Sequence, residues 1–284
     1  MIQSNQPDYL NIDWLQPDHP PLYDWYDEFY DDLEMWNALC SRFEGPVLDL
    51  ACGTGRVSIA LARAGMAVVG VDISQHMVAR ALNKLTREES QVCNRIDFIV
   101  GDMTSLELDS VFQIAIIPSN SLNELTTFEA QEACLRSVWQ HLAPGGILAV
   151  VAVPENGCGS TSEPEEPVDL WERKPFYEAV NPASGLLTRQ WILGGWGDPS
   201  LQLHYHRFYF EEVDESGISI RRFALPPAPK WHVRRFIGRY EMQLLLEKCG
   251  FAVENIYGDY QLGRYGPQST IMVIEARKMV QRHE

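Results

Sequence analysis

Val47-Leu-Asp-Leu-Ala-Cys-Gly-Thr-Gly-Arg56 is the stretch of sequence that decides the fold. Its apolar beginning predicts a short buried strand. Gly53 and Gly55 then predict a turn at which a ligand can come close to the backbone, because glycine has no Cβ. The helix predicted after Gly55 directs unpaired N–H groups of its first turn toward the same place. The stretch therefore predicts a strand, a ligand-binding turn and a helix in succession.

The sequence that follows alternates between apolar runs and amphipathic patterns as far as Val153. Continuous apolar strands between amphipathic helices are typical of a parallel sheet that is covered on both faces. We therefore predict an α/β, doubly wound fold. The predicted strands after the first are 67–73, 96–102, 112–119 and 147–153, and the predicted helices are 57–65, 75–85 and 128–142.

The regions before and after this alternation have a different character. A proline-rich arm leads into a helical pattern over 23–43, and a Gly/Ser/Glu/Pro segment follows Pro154. Aromatic, alternating runs between 168 and 233 then predict antiparallel strands. A helix and two closing strands complete the chain. The predicted regions are an N-terminal arm and cap helix (1–46), a ligand-binding domain (47–154 and 234–284) and an inserted antiparallel substrate or lid region after the fifth strand (155–233).

Composition and charge narrow the classes of function. The 284 residues carry 23 Lys and Arg against 39 Asp and Glu, a net charge of −16, which argues against a nucleic-acid partner because such proteins need basic surface. No run of about 18 apolar residues and no secretory signal is present, so we expect no membrane partner and a cytoplasmic location. Six scattered cysteines without a CxxC pair or a Cys/His cluster predict reduced thiols and no metal site.

Three aspartates lie at the carboxyl ends of predicted strands. Asp49 and Asp72 end the first two strands, and Asp102 ends the third. Ligands of open α/β sheets bind at this edge, where a carboxylate can accept ribose hydroxyls. Taken singly, each acid could be a helix cap and each glycine an ordinary turn. A dinucleotide dehydrogenase is the nearest alternative, but G-T-G-R-V-S lacks the small third residue of its GxGxxG pattern.

The motifs LDLACGTG, GVDIS, GDM and LAPGGIL, in this order, resemble those of class I S-adenosylmethionine-dependent methyltransferases. The resemblance implies a seven-stranded, Rossmann-like methyltransferase fold that binds S-adenosyl-L-methionine and releases S-adenosyl-L-homocysteine. By resemblance, the glycine turn holds the methionine part, Asp72 the ribose, and Ile73, Asp102 and Met103 the adenine. The implied cofactor-binding residues are Asp49, Ala51, Cys52, Gly53, Gly55, Arg56, Asp72, Ile73, Asp102, Met103, Ser119 and Asn120.

The helix before the first motif and the antiparallel insertion resemble those of bacterial aminosugar N,N-dimethyltransferases. That resemblance implies a role for Tyr26 near the acceptor, and it places Glu124 where those enzymes have a histidine. An acceptor hydroxyl would need a base, for which Glu124, His206 and His232 are candidates. We expect a small-molecule acceptor, with amine nitrogen favoured over hydroxyl oxygen, and a monomer or homodimer. A peptide methyltransferase and a non-catalytic cofactor-binding partner protein are the alternatives.

Overall fold

The computed structural model describes residues 22–25, 31–154, 169–227 and 230–279. These residues form two compact units. The first contains 31–154 and 237–279, and the second contains 22–25, 169–227 and 230–236. The described part of the predicted N-terminal region is therefore divided between the two units. Among the described residues, no helix combines the length and the apolar character that crossing a membrane requires.

The elements are numbered along the chain. The strands are β1 Val47–Leu50, β2 Val68–Asp72, β3 Ile96–Val100, β4 Phe112–Ile117, β5 Leu142–Ala152, β6 Tyr177–Val180, β7 Leu187–Asp198, β8 Leu203–Val213, β9 Ser219–Leu225, β10 His232–Arg235, β11 Phe251–Tyr257 and β12 Met272–Lys278. The helices are α1 Leu33–Cys40, α2 Arg56–Arg63, α3 Gln75–Leu85, α4 Ser90–Cys93, α5 Phe128–His141 and α6 Arg239–Lys248, with 3-10 turns at Ser121–Glu124 and Leu170–Glu172 and a helical turn over 22–25.

The first unit is built on a seven-stranded sheet in the order β11-β12-β5-β4-β1-β2-β3. β1 pairs in parallel with β2 and with β4, and β2–β3 and β4–β5 are also parallel. β12 pairs antiparallel with β5 and with β11. The order of the parallel strands reverses between β1 and β4, which is the point at which open α/β sheets bind ligands. The predicted doubly wound, Rossmann-like methyltransferase fold is confirmed.

Helices bury both faces of this sheet. α5 and α6 cover one face with Leu135 and Leu245, and α1 and α2 cover the other with Trp36 and Leu61. β1 contributes to both cores, because successive side chains of a strand point to opposite faces. A strand buried on both sides is mostly apolar, which explains the near-continuous apolar runs in the sequence.

The second unit contains the antiparallel sheet predicted for the insertion. Its order is β10-β8-β7-β6, and β9 pairs with β8 beside β10. One face buries Phe210 beneath Trp25 and Tyr177, and the other buries Trp191 and Tyr209. The ring centroids of Trp25 and Tyr177 are 4.7 Å apart. The aromatic richness of this part of the sequence therefore supplies the core of the unit.

The helix predicted over 23–43 is shorter in the structure. A helical turn covers 22–25 and α1 begins at Leu33, while 26–30 lie outside the described residues. Trp25 packs in the core of the second unit and Trp36 in that of the first. Periodicity predicts an apolar stripe but cannot show whether one core or two will bury it, and here two separate cores do.

Candidate functional site

The glycine turn between β1 and α2 has left-handed backbone conformations, which residues other than glycine seldom adopt. Ala51, Gly53 and Gly55 have φ values of 53°, 56° and 80°. A Cβ added at Gly55 would lie 2.7 Å from Cζ of Phe98, and one added at Gly70 would lie 2.8 Å from Cδ1 of the same ring. Phe98 thus occupies the space beside the turn, and the turn's shape depends on glycine at 55 for both conformational and steric reasons.

Asp72, at the end of β2, fixes the glycine turn from the neighbouring strand. Its Oδ2 accepts a hydrogen bond from the N–H of Gly53 (2.8 Å), and its Oδ1 accepts one from the N–H of Ser74 (2.8 Å). Burial raises the pKa of Asp72 to about 6, against the lowering effect of these two bonds. Each carboxylate oxygen has a second lone pair, so Asp72 can still accept hydroxyl groups of a ligand.

Asp49, on β1, is fully buried. Ser58 Oγ donates a hydrogen bond of 2.5 Å to its Oδ2, while Oδ1 has no hydrogen-bond partner among the described residues. Burial raises the pKa of Asp49 to about 7, and the Ser58 bond and the charge of Arg56 oppose the rise. A buried carboxylate oxygen without a donor is costly, so this atom indicates a ligand that donates a hydrogen bond or carries positive charge.

The loop after β4 supplies a second such acceptor. Ser119 and Asn120 are consecutive left-handed residues, with φ values of 54° and 62°. Asn120 is 6% exposed, and its Oδ1 also lacks a hydrogen-bond partner within the described part of the chain. Strained backbone of this kind concentrates at functional sites. β4 lies beside β1, so Asn120 and Asp49 belong to the same edge of the sheet.

Asp102 and Met103 follow β3 at the same edge. Oδ1 of Asp102 accepts hydrogen bonds from both the N–H and the hydroxyl of Thr104, each at 2.8 Å. Met103 packs against the core on the α5 side of the sheet. Ile73, directly after β2, is half-buried. Ile73 thus follows β2, whereas Asp102 and Met103 follow β3, and the contacts of all three with adenine stay a prediction.

Arg56, the first residue of α2, makes a contact that the sequence analysis did not predict. Its guanidinium forms an ion pair with Asp32, with Nη1–Oδ1 at 2.5 Å and Nη2–Oδ2 at 3.0 Å. Trp36 Nε1 donates to the same carboxylate at 2.9 Å. Nη2 of Arg56 also lies 3.4 Å from Oγ of Ser119. Residues 1–41 hold nine acids and no Lys or Arg, so a basic partner for Asp32 had to come from elsewhere in the chain, but this composition does not single out Asp32.

The predicted catalytic residues belong to different parts of the chain. Tyr26 lies outside them. Glu124 ends the 3-10 turn that follows Asn120 and is half-buried. His206 belongs to β8 of the second unit, where its ring lies 4.4 Å from the ring of His232 and 5.0 Å from that of Phe208. Aromatic packing accounts for these contacts of His206, and its role as a base stays a prediction.

A pocket of about 200 Å³ lies between α1 and α2, lined by Leu33, Glu34, Trp36, Asn37, Val57, Ala60 and Leu61. None of the predicted site residues lines it. The crevice at the carboxyl ends of β1, β2 and β4 is instead defined by its polar groups: a strained glycine turn, two buried acceptors that have no donor within the described part of the chain, and one guanidinium. This donor and acceptor set fits a ligand that carries both an ammonium and a carboxylate group.

The family model described as a methyltransferase domain matches residues 47–146, the segment that contains the glycine turn and the ends of β1 to β4. "Putative methyltransferase YqeM" of Bacillus subtilis (strain 168) is 36% identical over 129 residues, which are 43% of this chain and 50% of that protein. The chain thus spans half the length of this curated relative.

Solved structures match over nearly the whole chain. The CcbJ methyltransferase from Streptomyces caelestis aligns with a TM-score of 0.66 and 20% identity, covering 87% of this chain and 95% of that one. The sugar N-methyltransferase KedS8 from Streptoalloteichus sp ATCC 53650 aligns with a TM-score of 0.64 and 17% identity, covering 91% of this chain and 93% of that one. At these identities the matches show a shared fold, including the antiparallel insertion.

Proposed function

Because residues 47–146 match the family model of a methyltransferase domain, we propose that the chain transfers a methyl group from S-adenosyl-L-methionine to a small-molecule acceptor. The observation that carries the proposal is the pair of buried oxygens, Asp49 Oδ1 and Asn120 Oδ1, that have no donor among the described residues. Both lie at the edge of the sheet where the family model matches, and both suit the ammonium group of the cofactor.

Each group of the crevice has a chemical task in this proposal. Asp49 and Asn120 would accept hydrogen bonds from the ammonium group, and the N–H groups of the glycine turn would face the carboxylate. Asp72 would accept the ribose hydroxyls. The bound cofactor supplies an electrophilic methyl group on a sulfonium centre. The protein residues hold this group in line with the acceptor, and such positioning can lower a barrier by roughly 7–11 kcal/mol.

We further propose that the acceptor atom is an amine nitrogen. A neutral amine needs no protein base to accept a methyl group, whereas a hydroxyl ordinarily does. Glu124, which follows Asn120 by four residues, offers a carboxylate that can bind a cationic amine before it loses its proton. The similarity of the fold to a sugar N-methyltransferase is in keeping with this proposal. Its test is a screen of small amines and matched alcohols with S-adenosylhomocysteine release as the readout.

Calorimetric titration with S-adenosylhomocysteine tests the cofactor part of the proposal. We expect micromolar binding to the wild type and a loss of at least about tenfold in Asp72→Asn, which is about 1.4 kcal/mol. Asp97→Asn is the matched control, because Asp97 is an exposed carboxylate on the adjacent strand β3. The control should bind as the wild type does.

Four outcomes are informative. Absence of binding to a folded wild type would overturn the proposal. Equal losses in both variants would show that the effect is not specific to the crevice. Binding without turnover of any amine, alcohol or peptide would favour a non-catalytic partner protein, whereas turnover of peptides alone would favour a peptide methyltransferase.

A further inference from the structure

Asp32 is a buried carboxylate that takes no part in the cofactor contacts proposed above. It is fully buried and immediately precedes α1. An aspartate at this position ordinarily caps its own helix by accepting from the first-turn N–H groups. Asp32 makes no such bond. Its oxygens instead accept from the Arg56 guanidinium and from Trp36 Nε1.

The Asp32–Arg56 pair connects three segments of the first unit. Asp32 belongs to the segment before α1, Arg56 follows the glycine turn, and Arg56 Nη2 reaches Ser119 Oγ in the strained loop after β4. Ser119 adjoins Asn120, one of the two residues with an unpartnered buried oxygen. The guanidinium is also close enough to Asp49 to oppose the rise in the pKa of that carboxyl. The ion pair therefore adjoins the glycine turn, contacts the loop that carries Asn120, and influences Asp49.

A buried ion pair contributes little net stability, because the desolvation of both ions offsets their attraction. The pair affects geometry more than stability, because a guanidinium that donates through two of its nitrogens is held in one orientation. The α2 helix offers a comparison, because Arg63 near its other end forms a similar two-point pair with Glu88, with Nε–Oε2 at 2.9 Å and Nη2–Oε1 at 2.6 Å. In that pair the arginine side chain is 61% exposed, whereas the Arg56 side chain is 15% exposed.

We propose that Asp32 is a positioning residue of the cofactor site: by orienting Arg56, it holds the glycine turn and the Ser119–Asn120 loop in the arrangement that receives the amino-acid end of S-adenosylmethionine. This inference rests on the proposed function. It concerns the amino-acid end of the ligand, because the described hydrogen bonds of the pair join the start of α1, the start of α2 and Ser119. The adenosine end should therefore bind independently of Asp32.

The test measures two ligands on the same variants. We expect Asp32→Asn to lower the affinity for S-adenosylhomocysteine by about tenfold or more and to leave the affinity for 5′-methylthioadenosine, which lacks the amino-acid end, within about twofold. Arg56→Lys should show the same selective loss, and the double variant should lose no more than either single one. Glu88→Gln, which breaks the exposed pair on the same helix, should change neither affinity.

If Asp32 had only a structural role, Asp32→Asn would lower the affinities for both ligands in parallel with its melting temperature, and that result would overturn the proposal. Tighter binding of S-adenosylhomocysteine to Asp32→Asn would overturn it as well. If the wild type binds neither ligand, the proposed function itself fails and this inference fails with it. Wild-type binding with an unaffected Asp32→Asn overturns the inference alone.

A measurement on the wild type covers the case in which Asp32→Asn does not fold. The indole N–H of Trp36 shares the Asp32 carboxylate with Arg56, so its ¹H–¹⁵N resonance, assigned with Trp36→Phe, reports on the pair. S-adenosylhomocysteine should shift this resonance, and methylthioadenosine should leave it in place. Equal shifts with both ligands, or no shift with either despite binding, would contradict the proposal.

Discussion

At the scale of single residues, burial is the main influence on the chemistry of the crevice. Asp49 and Asp72 are carboxylates whose pKa values are raised to about 7 and about 6 by burial. In both cases hydrogen bonds to the ionised form oppose the shift without cancelling it. A ligand that brings positive charge to this edge of the sheet would restore the ionised state of Asp49. Ligand binding and proton release should therefore be coupled at this residue.

The coupling predicts a pH-dependent affinity. If the ammonium group of S-adenosylhomocysteine lies beside Asp49, the affinity should rise by about tenfold from pH 6 to pH 8, because below about 7 a proton must leave Asp49 on binding. Calorimetry in buffers of different ionisation enthalpy would measure that proton. Asp49→Asn should bind more weakly and show a flat profile over this range. The same slope in wild type and variant would contradict the assignment.

The stability of the ligand-free protein should depend on pH with a defined sign. The folded-state pKa of Asp49 lies above its unfolded value, so the native state binds more protons between about pH 4 and pH 7. Stability should therefore be greatest at the acid end of this range and fall as the pH rises through about 7. Urea unfolding of wild type and Asp49→Asn would show the difference, and a wild type without this fall relative to the variant would contradict the raised pKa.

At the scale of elements, the glycine turn depends on a side chain from another strand. Phe98 of β3 lies against both Gly55 and Gly70, so that any Cβ at either position would contact its ring closer than atoms normally approach. Gly55 is also left-handed, with φ 80°. The turn is thus specified by local conformation and by packing at once. Gly65, just after α2, is also left-handed, with φ 100°, but no atom lies within 4 Å of a Cβ added there. Only the conformational requirement for glycine therefore applies at this position.

Gly55→Ala should consequently destabilise the protein more than Gly65→Ala does. The left-handed conformation alone costs an alanine about 1–2 kcal/mol, and the clash with Phe98 adds about 1–3 kcal/mol. Urea denaturation of the two variants gives the comparison. Adding Phe98→Leu to Gly55→Ala should recover part of the loss, because the smaller side chain can move away. Equal losses at 55 and 65 would show that the Phe98 contact has no energetic effect.

The pattern of helices and strands also shows what local sequence can specify. α3 occupies the predicted residues Gln75–Leu85 and is capped by Ser74, whose Oγ accepts from the N–H of Met77. β5 begins at Leu142 rather than Ile147, because the pairing with β4 continues beyond a register shift between Phe112 and Ile114. A cap is a local interaction and can be predicted, whereas this extension depends on a partner strand.

At the scale of the whole molecule, the chain builds two cores from side chains that are mixed in sequence. Trp25 and Trp36 are 11 positions apart along one amphipathic pattern. Trp25 packs with Phe210 and Tyr177 of the antiparallel sheet, and Trp36 packs on the seven-stranded sheet. The N-terminal segment therefore contributes to both units, and each unit depends on residues distant in sequence.

Truncating each tryptophan should loosen only its own unit. Trp25→Ala should speed amide exchange in β7 and β8 and leave β1 and β4 unchanged, whereas Trp36→Ala should do the reverse. Either truncation removes a buried aromatic side chain, a loss of about 3–5 kcal/mol, which is large enough to register in the local opening free energy. Native-state hydrogen exchange by mass spectrometry is the measurement. Uniform acceleration across the chain in both variants would show a single cooperative core.

The sequence by itself determined the fold class and the edge of the sheet at which the site lies. Apolar strands, glycine turns and acids at strand ends can be recognised from local or periodic patterns. In a parallel sheet the carboxyl ends of the strands lie at one edge, so residues at those ends come together. Asp49, Asp72 and the glycine turn could be predicted for this reason. The same local signals could not show whether an acid at the start of a helix caps that helix or pairs with a distant residue, as Asp32 does.

The tertiary structure decided which side chains face one another. Asp32 does not cap its own helix but pairs with Arg56, 24 positions later, and Asn120 Oδ1 is buried without a donor among the described residues. It also decided that Trp25 and Trp36 belong to different cores. These outcomes depend on long-range packing and on the desolvation of charged groups, which arise only when distant segments are buried together.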